Sequence, residues 1–217
     1  MASLTEMLAG DYTAVDLVER FGAIPLWRVR REPAPGTATE NDVVAINDHE
    51  DRLCELVDGI LVEKAMSSYE SYLAMFLGSL LTAFARENDL GIVLGADGML
   101  RLAPGLVRIP DVSFISWDRL PGRRISREPI WGLAPTLAVE IISKSNTPEE
   151  MARKLADYFA AGVRAAWYVY PASREVRVYS TADSFAVVGA GQTLDGGEVL
   201  PGFSLDLQAF FAEPTSA

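Results

Sequence analysis

The sequence predicts an α/β domain with a mixed β-sheet flanked by helices, and three observations carry that prediction. Two long amphipathic segments are set among short apolar runs, so helices and strands alternate along the chain. Asp58-Gly59 between two apolar runs marks a hairpin. Residues 137–142 (LAVEII) form an apolar run broken only by Glu140, the pattern of a strand buried on both faces.

In chain order, residues 14–22 (AVDLVERFG) read as a short helix stopped by Gly22. The stretch 32–41 (EPAPGTATEN) reads as a linker, which makes residues 1–38 an N-terminal arm. Thr39-x-x-Asp42 caps a short helix running toward Asp48. The hairpin follows at 54–57 and 60–62. Across residues 69–88, Leu73, Phe76, Leu77, Leu80, Leu81 and Phe84 recur at steps of three and four, which gives one broad buried helix face. Strands are expected at 92–94, 99–102 and 112–115, with Pro104-Gly105 as the break between the last two. Residues 118–135 form a loop rich in Arg, Pro and Gly. The helix at 148–161 has Thr147 as N-cap, Pro148 at its first position, Glu150 to complete a capping box, and Gly162 as its stop. A strand follows at 166–170. The tail alternates as strands do (Val176, Val178; Phe185, Val187) and ends near Phe210-Phe211.

Length and composition fit this plan. The 217 residues are 49% hydrophobic and 23% charged, enough for one domain with a substantial core. The single cysteine, Cys54, excludes an internal disulfide and fits a reducing compartment, so a cytoplasmic location is expected. The opening MASLTEML lacks the basic-then-apolar order of a secretory signal, and the longest nearly apolar run, 72–85, is too short to cross a bilayer.

The net charge of −11 opposes binding to phosphate, but it is unevenly spread. Residues 1–63 carry 13 acids and 5 bases, a balance of −8; residues 101–128 carry 6 arginines and 3 acids, a balance of +3. Arg119, Arg123, Arg124 and Arg127 are therefore candidates for nucleic-acid contact, against the plainer reading of a solvated loop.

Several chemistries are excluded. With one histidine (His49) and one cysteine, zinc sites of nitrogen and sulfur cannot be assembled. No G-x-S-x-G elbow, P-loop or G-x-G-x-x-G is present. What remains is carboxylates in apolar surroundings. Asp111 follows Pro110 at the start of a strand, and Glu140 lies inside one. A buried carboxylate needs a cationic partner or a metal. Lys154 shares a helix face with Met151 and Tyr158, so it either snorkels outward or meets a carboxylate, Glu140 or, one turn away, Glu150. Two carboxylates and a lysine suit a hard cation, Mg²⁺ or Mn²⁺, and the activation of a water for attack at phosphorus.

Glu55-Leu56-Val57-Asp58-Gly59, Pro110-Asp111, Val139-Glu140-Ile141-Ile142-Ser143, Ser145-Asn146-Thr147, Lys154, Tyr158, Ala161-Gly162-Val163 and Trp167, in that order and spacing, resemble the Uma-type family of putative restriction endonucleases over residues 40–205. The resemblance implies a PD-(D/E)XK nuclease-like domain over residues 39–217, with a restriction-endonuclease-like core and additional C-terminal strands. It implies metal-dependent hydrolysis of DNA by a homodimer, with Asp111 and Glu140 as metal ligands. The superfamily's lysine would stand two residues after Glu140, where this chain has Ile142; the family's pattern moves it to the following helix, to Lys154, with Lys144 as the rival. An additional acid from the first core helix would be Glu70, then Glu63. The histidine that the family often places near that helix is missing. The competing reading is a catalytically inactive binding protein on a nuclease-like scaffold.

Overall fold

A computed structural model of the chain describes residues 12–50 and 52–212. The first eleven residues of the expected arm lie outside the described residues. The elements are α1 (Ala14–Phe21), α2 (Glu40–Glu50), β1 (Cys54–Val57), β2 (Ile60–Glu63), α3 (Ser68–Glu87), β3 (Gly91–Leu94), β4 (Met99–Ala103), β5 (Leu106–Arg108), β6 (Val112–Ser116), β7 (Ile130–Trp131), β8 (Leu137–Ile141), α4 (Pro148–Ala160), β9 (Ala165–Tyr170), β10 (Glu175–Thr181), β11 (Ser184–Gly189), β12 (Thr193–Asp195), β13 (Ser204–Asp206) and α5 (Leu207–Phe210).

Six strands form the central sheet in the order β11-β10-β9-β8-β6-β3. It is mixed: β8 and β9 run parallel, joined by α4 as the crossover, and the other pairs are antiparallel. Because successive side chains of a strand point to opposite faces, β8 divides its residues between two layers. Leu137, Val139 and Ile141 pack with Leu73, Leu77 and Leu81 of α3. Ala138 turns the other way, toward Tyr158 of α4. The C-terminal strands and α5 add Leu194, Leu205, Leu207 and Phe210 to the α3 side. α3 thus buries the face that its spacing predicts, with Phe76, Leu80 and Phe84 at the margin.

A second sheet, β2-β1-β5-β4-β7, is built on the Asp58-Gly59 hairpin. Asp58 (φ 51) and Gly59 (φ 71) both take the left-handed conformation that such a two-residue turn requires. A Cβ on Gly59 would stand 2.5 Å from the Gly36 carbonyl, because residues 36–38 lie against the turn and donate backbone hydrogen bonds to it. One face of this sheet packs Cys54, Leu56 and Leu61 on Val43 and Ile46 of α2. The opposite face carries Val57, Ile60 and Val62, covered by Phe21, Ile24 and Val29 from the expected arm and linker. The break at Pro104-Gly105 is a turn that returns the chain as β5, a strand the sequence reading did not separate.

Cys54 is buried between β1 and α2. Burial, reinforced by the nearby Glu63 charge, pushes its thiol up from 9.0 to about 11. A raised acid favours the folded state while it stays protonated, so this contribution is present below the unfolded value and is lost as pH rises from about 9 to about 11. The native protein should therefore resist thiol-specific reagents at neutral pH and react fully after denaturation. Urea titrations should show stability falling across that alkaline window in the wild type, and less so in Cys54→Ala.

Candidate active site

The site begins with the pleat of β8. Its odd-numbered positions are committed to the α3 layer, so Glu140 must enter the layer between the central sheet, α4 and the second sheet, where it is 4% exposed. The β6–β8 register pairs Val112 with Val139; carried one step further, it sets Asp111 opposite Glu140. Asp111 ends the regular ladder. Its own N–H donates to Val139 O (2.9 Å), and its Oδ2 accepts the Ile141 N–H (2.6 Å). Two like charges opposed across a strand pair repel, and each here has a lysine at its carboxylate. Lys64 Nζ, just after β2, lies 2.8 Å from Asp111 Oδ1, and Lys154 Nζ lies 3.1 Å from Glu140 Oε1. Tyr158 also donates its hydroxyl to Glu140 Oε1. Glu140 Oε2 accepts no hydrogen bond from a described residue.

A third carboxylate completes the cluster. Glu55, on β1, places Oε1 3.0 Å from Lys154 Nζ and accepts the Ile109 N–H on the same oxygen at 3.0 Å. Its Oε2 lies 2.8 Å from Arg108 Nη1, and Arg108 in turn donates from Nε to Asp157 Oδ2 at 3.1 Å. Lys154 therefore joins β8 of the central sheet to β1 of the second sheet. These groups are almost fully buried, so their charges act through a poor dielectric and shift one another strongly. Burial alone would raise Glu55; Lys154 and Arg108 outweigh it and hold the carboxyl at about 2. Burial raises Glu140, Lys154 opposes it, and the Asp111 and Glu55 charges add to the rise, leaving it at about 7. Burial pulls Lys154 down, but Glu140 and Glu55 together keep it above the ordinary lysine range.

Of the residues expected from sequence, Asp111, Glu140 and Lys154 come together. Glu63 does not join them. It pairs across the hairpin with Cys54, on the face opposite Glu55, and binds Arg30 (3.2 Å) and Arg52 (2.8 Å). Glu70 closes a capping box with Ser67 at the start of α3. Lys144 is exposed on the loop after β8; the strand has ended by then, so its parity with Glu140 no longer places it beside that acid. Among the arginines, Arg119 donates to the Ala134 and Gly162 carbonyls, and Arg123 pairs with Asp89 at 2.8 Å. Arg124 and Arg127 are exposed. Sequence reasoning missed Glu55 and Lys64 as members of the cluster. Glu55 carries the same signal as Glu140, a lone acid in a short apolar strand.

The capping box expected at α4 is half made. Thr147 Oγ1 accepts the Glu150 N–H (3.1 Å), but the Glu150 side chain turns away to a buried pair with Arg28 (2.7 Å). A carboxylate that gains a bidentate guanidinium partner has more to gain than one that returns to its own helix cap. Arg28 also donates to Glu63 O (2.9 Å) and Ser145 O (3.0 Å), which ties the end of β2 to the loop between β8 and α4.

Two clefts open around these elements, and one of them reaches the cluster. One of about 610 Å³ lies between α3 and the edge strand β3 and has Asp111 in its wall. The other, of about 530 Å³, is lined by Ser67, Glu70, Ser143, Lys144 and Ser145. Among the described residues no three acids, histidines or cysteines are grouped as a ligand set. A magnesium-like ion does not need three, since it keeps several waters and is often held by one or two carboxylates together with substrate phosphate. The facing carboxylates of Asp111 and Glu140 fit that donor chemistry, with Glu140 Oε2 the oxygen left free among described partners.

A family model described as "Putative restriction endonuclease" (Uma2) matches residues 41–208. Among solved structures, a protein from Anabaena variabilis titled a putative nuclease superposes with a TM-score of 0.66 at 17% identity, covering 74% of this chain and 90% of that one. That likeness establishes a shared fold. No curated protein is significantly similar to the chain. No described helix is long and apolar enough to cross a membrane.

Replacing Lys154 by Met would leave the Glu55 and Glu140 carboxylates buried without their shared cation. Removing one partner of a buried ion pair costs about 3–5 kcal/mol, so urea unfolding at neutral pH should show a loss of that order. Adding Glu140→Gln to Lys154→Met should recover part of it, and an additive double mutant would show that the ammonium does not act on Glu140.

Proposed function

The chain belongs to the Uma2 family of putative restriction endonucleases, and on that premise we propose that it is a metal-dependent endonuclease that hydrolyses DNA phosphodiester bonds. The observation that carries this reading is the placement of Asp111 and Glu140 side by side on adjacent strands, each with a lysine at its carboxylate. Held by these two carboxylates, Mg²⁺ or Mn²⁺ would polarise a phosphoryl oxygen and lower the pKa of a bound water. The protein's own groups supply the remainder. Lys154 is held by Glu140, Glu55 and the wall of α4, a fixed cation suited to the charge that builds on a phosphoryl oxygen. Lys64, at the end of β2, sets a second positive charge beside Asp111. Tyr158 and the Ile141 N–H fix the two carboxylates, so little reorganisation is needed when substrate arrives.

We assign the activity to a cytoplasmic protein acting as a homodimer, since two copies present two such sites to the two strands of a duplex. A second reading, a nuclease-like scaffold that binds without cutting, draws support from Ile142 at the superfamily's lysine position and from the lysine already paired with each of the two carboxylates.

The test is incubation of purified protein with supercoiled plasmid, single-stranded DNA and RNA in Mg²⁺ or Mn²⁺, beside Asp111→Ala at equal salt. Expected is nicking or linearisation of DNA that needs the metal and falls by about a hundredfold or more in the variant, the scale of losing a group that stabilises transition-state charge. Cleavage of RNA alone would move the substrate class. Absence of cleavage, with no metal-induced rise in melting temperature, would leave the scaffold reading standing.

A further inference from the structure

Leu26–Arg28 form a single 3-10 turn in the segment that precedes α2. On this turn Trp27 is 66% exposed and Leu26 57% exposed. A large indole held in water has no folding reason to be there, and this one is held firmly. On its C-terminal side Arg28 is buried in the hydrogen bonds to Glu63 O, Ser145 O and Glu150. Val29 is buried and bridges to Val62, and the Arg30 N–H donates to Leu61 O (3.0 Å). The backbone on either side of the arginine is thereby fixed, so Trp27 is presented on a rigid mount rather than on a loose arm.

The charge of this segment is opposite to that of the chain. Residues 20–31 (RFGAIPLWRVRR) contain four arginines and no acid, in a protein of net charge −11. Arg20 pairs with Asp58, Arg28 with Glu150, and Arg30 with Glu50 and Glu63. Arg31 is exposed and makes no ion pair among the described residues. Together with Trp27 and Leu26 it lines a shallow cleft of about 470 Å³.

The position of the turn matters as much as its chemistry. Arg28 touches Glu63, the residue before Lys64, and Ser145, the residue after Lys144. Trp27 is therefore the chain neighbour of the side chain that ties these two segments together, and it shares its cleft with Glu63. An exposed aromatic face beside a free guanidinium is the pairing that recognises unstacked nucleic acid, where a base stacks on the ring and the adjoining phosphate meets the cation. We propose that Trp27 and Arg31 form a subsite for an unpaired nucleotide of a single-stranded or locally opened substrate, adjacent to the proposed cleavage site. The inference rests on the nuclease reading for its biological meaning, though the binding itself is measured separately.

The experiment is fluorescence anisotropy of a labelled oligothymidylate with the full chain in EDTA, which suppresses metal-dependent cutting, for wild type, W27A, W27F and R31A. Trp27 is exposed, so its variants should melt with the wild type. Expected is a loss of affinity of about tenfold in W27A, much less in W27F because a ring remains, and a salt dependence shallower by about one phosphate contact in R31A. Equal affinities of wild type and W27A, or no oligothymidylate binding by the wild type, would overturn the subsite. So would an indole that serves only self-association, seen as a concentration-dependent dimer lost in W27A with oligonucleotide binding unchanged. Binding that depends on Trp27 in a protein that never cleaves plasmid would keep the subsite and remove the nuclease. Plasmid cleavage with binding indifferent to Trp27 would do the reverse.

Discussion

The arrangement depends on one ammonium group. Lys154 Nζ lies about equally far from a carboxylate of the central sheet and a carboxylate of the second sheet, and it comes from the helix packed between them. Three layers are joined at this point by a charge as well as by apolar contacts such as Ala138, Tyr158 and Leu102. In water such a bridge would be worth little; here all three groups are nearly excluded from solvent, so each depends on the others for its ionised form. The geometry that stabilises the junction of layers is the same geometry that brings Asp111 and Glu140 face to face. Structure and proposed chemistry draw on one set of residues, which is why a stability measurement and a cleavage measurement are both needed to separate the two roles.

The remaining polar groups extend this logic outward. Arg108 repeats what Lys154 does, holding Glu55 of β1 to Asp157 of α4. Arg28 repeats it once more, holding Glu150 at the first turn of the same helix to the end of β2 and to the loop that precedes the helix. α4 is thus gripped along its length by three cations or their partners, at positions 150, 154 and 157. These lie on one face at helical spacing, and the apolar residues of that face, Met151, Leu155 and Tyr158, fill the gaps between them. The helix cannot shift along the sheet without breaking several buried pairs at once.

Much of this fold was legible in the sequence. The hairpin at Asp58-Gly59, the buried face of α3, the apolar run of β8 and the N-cap of α4 are set by neighbours within a few residues, and local rules read them correctly. The inward position of Lys154 was legible for the same reason. Its partner was not, because Glu140 and Glu150 are both within reach along the chain, and the choice was made by Arg28, distant in sequence, which takes Glu150 for itself. Glu55 was not assigned to the cluster although its strand carries the same signal as that of Glu140; only the meeting of two sheets reveals that the two acids share one lysine. Glu70 and Glu63 match in residue type, but one is spent on a helix cap and the other faces the opposite side of its hairpin.

The acidity that argues against a nucleic-acid enzyme takes on a different meaning once the pairs are placed. Several acids of the N-terminal third are paired with arginines of the same protein: Glu40 with Arg101, Glu55 with Arg108, Asp58 with Arg20 and Arg153, Glu63 with Arg30 and Arg52. Those charges are neutralised at short range and contribute little to the field that an approaching phosphate meets beyond a Debye length. What acts at close range is the local balance of charge, in which Lys144 and Arg31 are exposed cations and the buried acids Asp111 and Glu140 are paired with lysines. A net charge summed over the sequence weighs all of these equally. The structure does not, and steering of a polyanion depends on the charges that remain unpaired where it arrives.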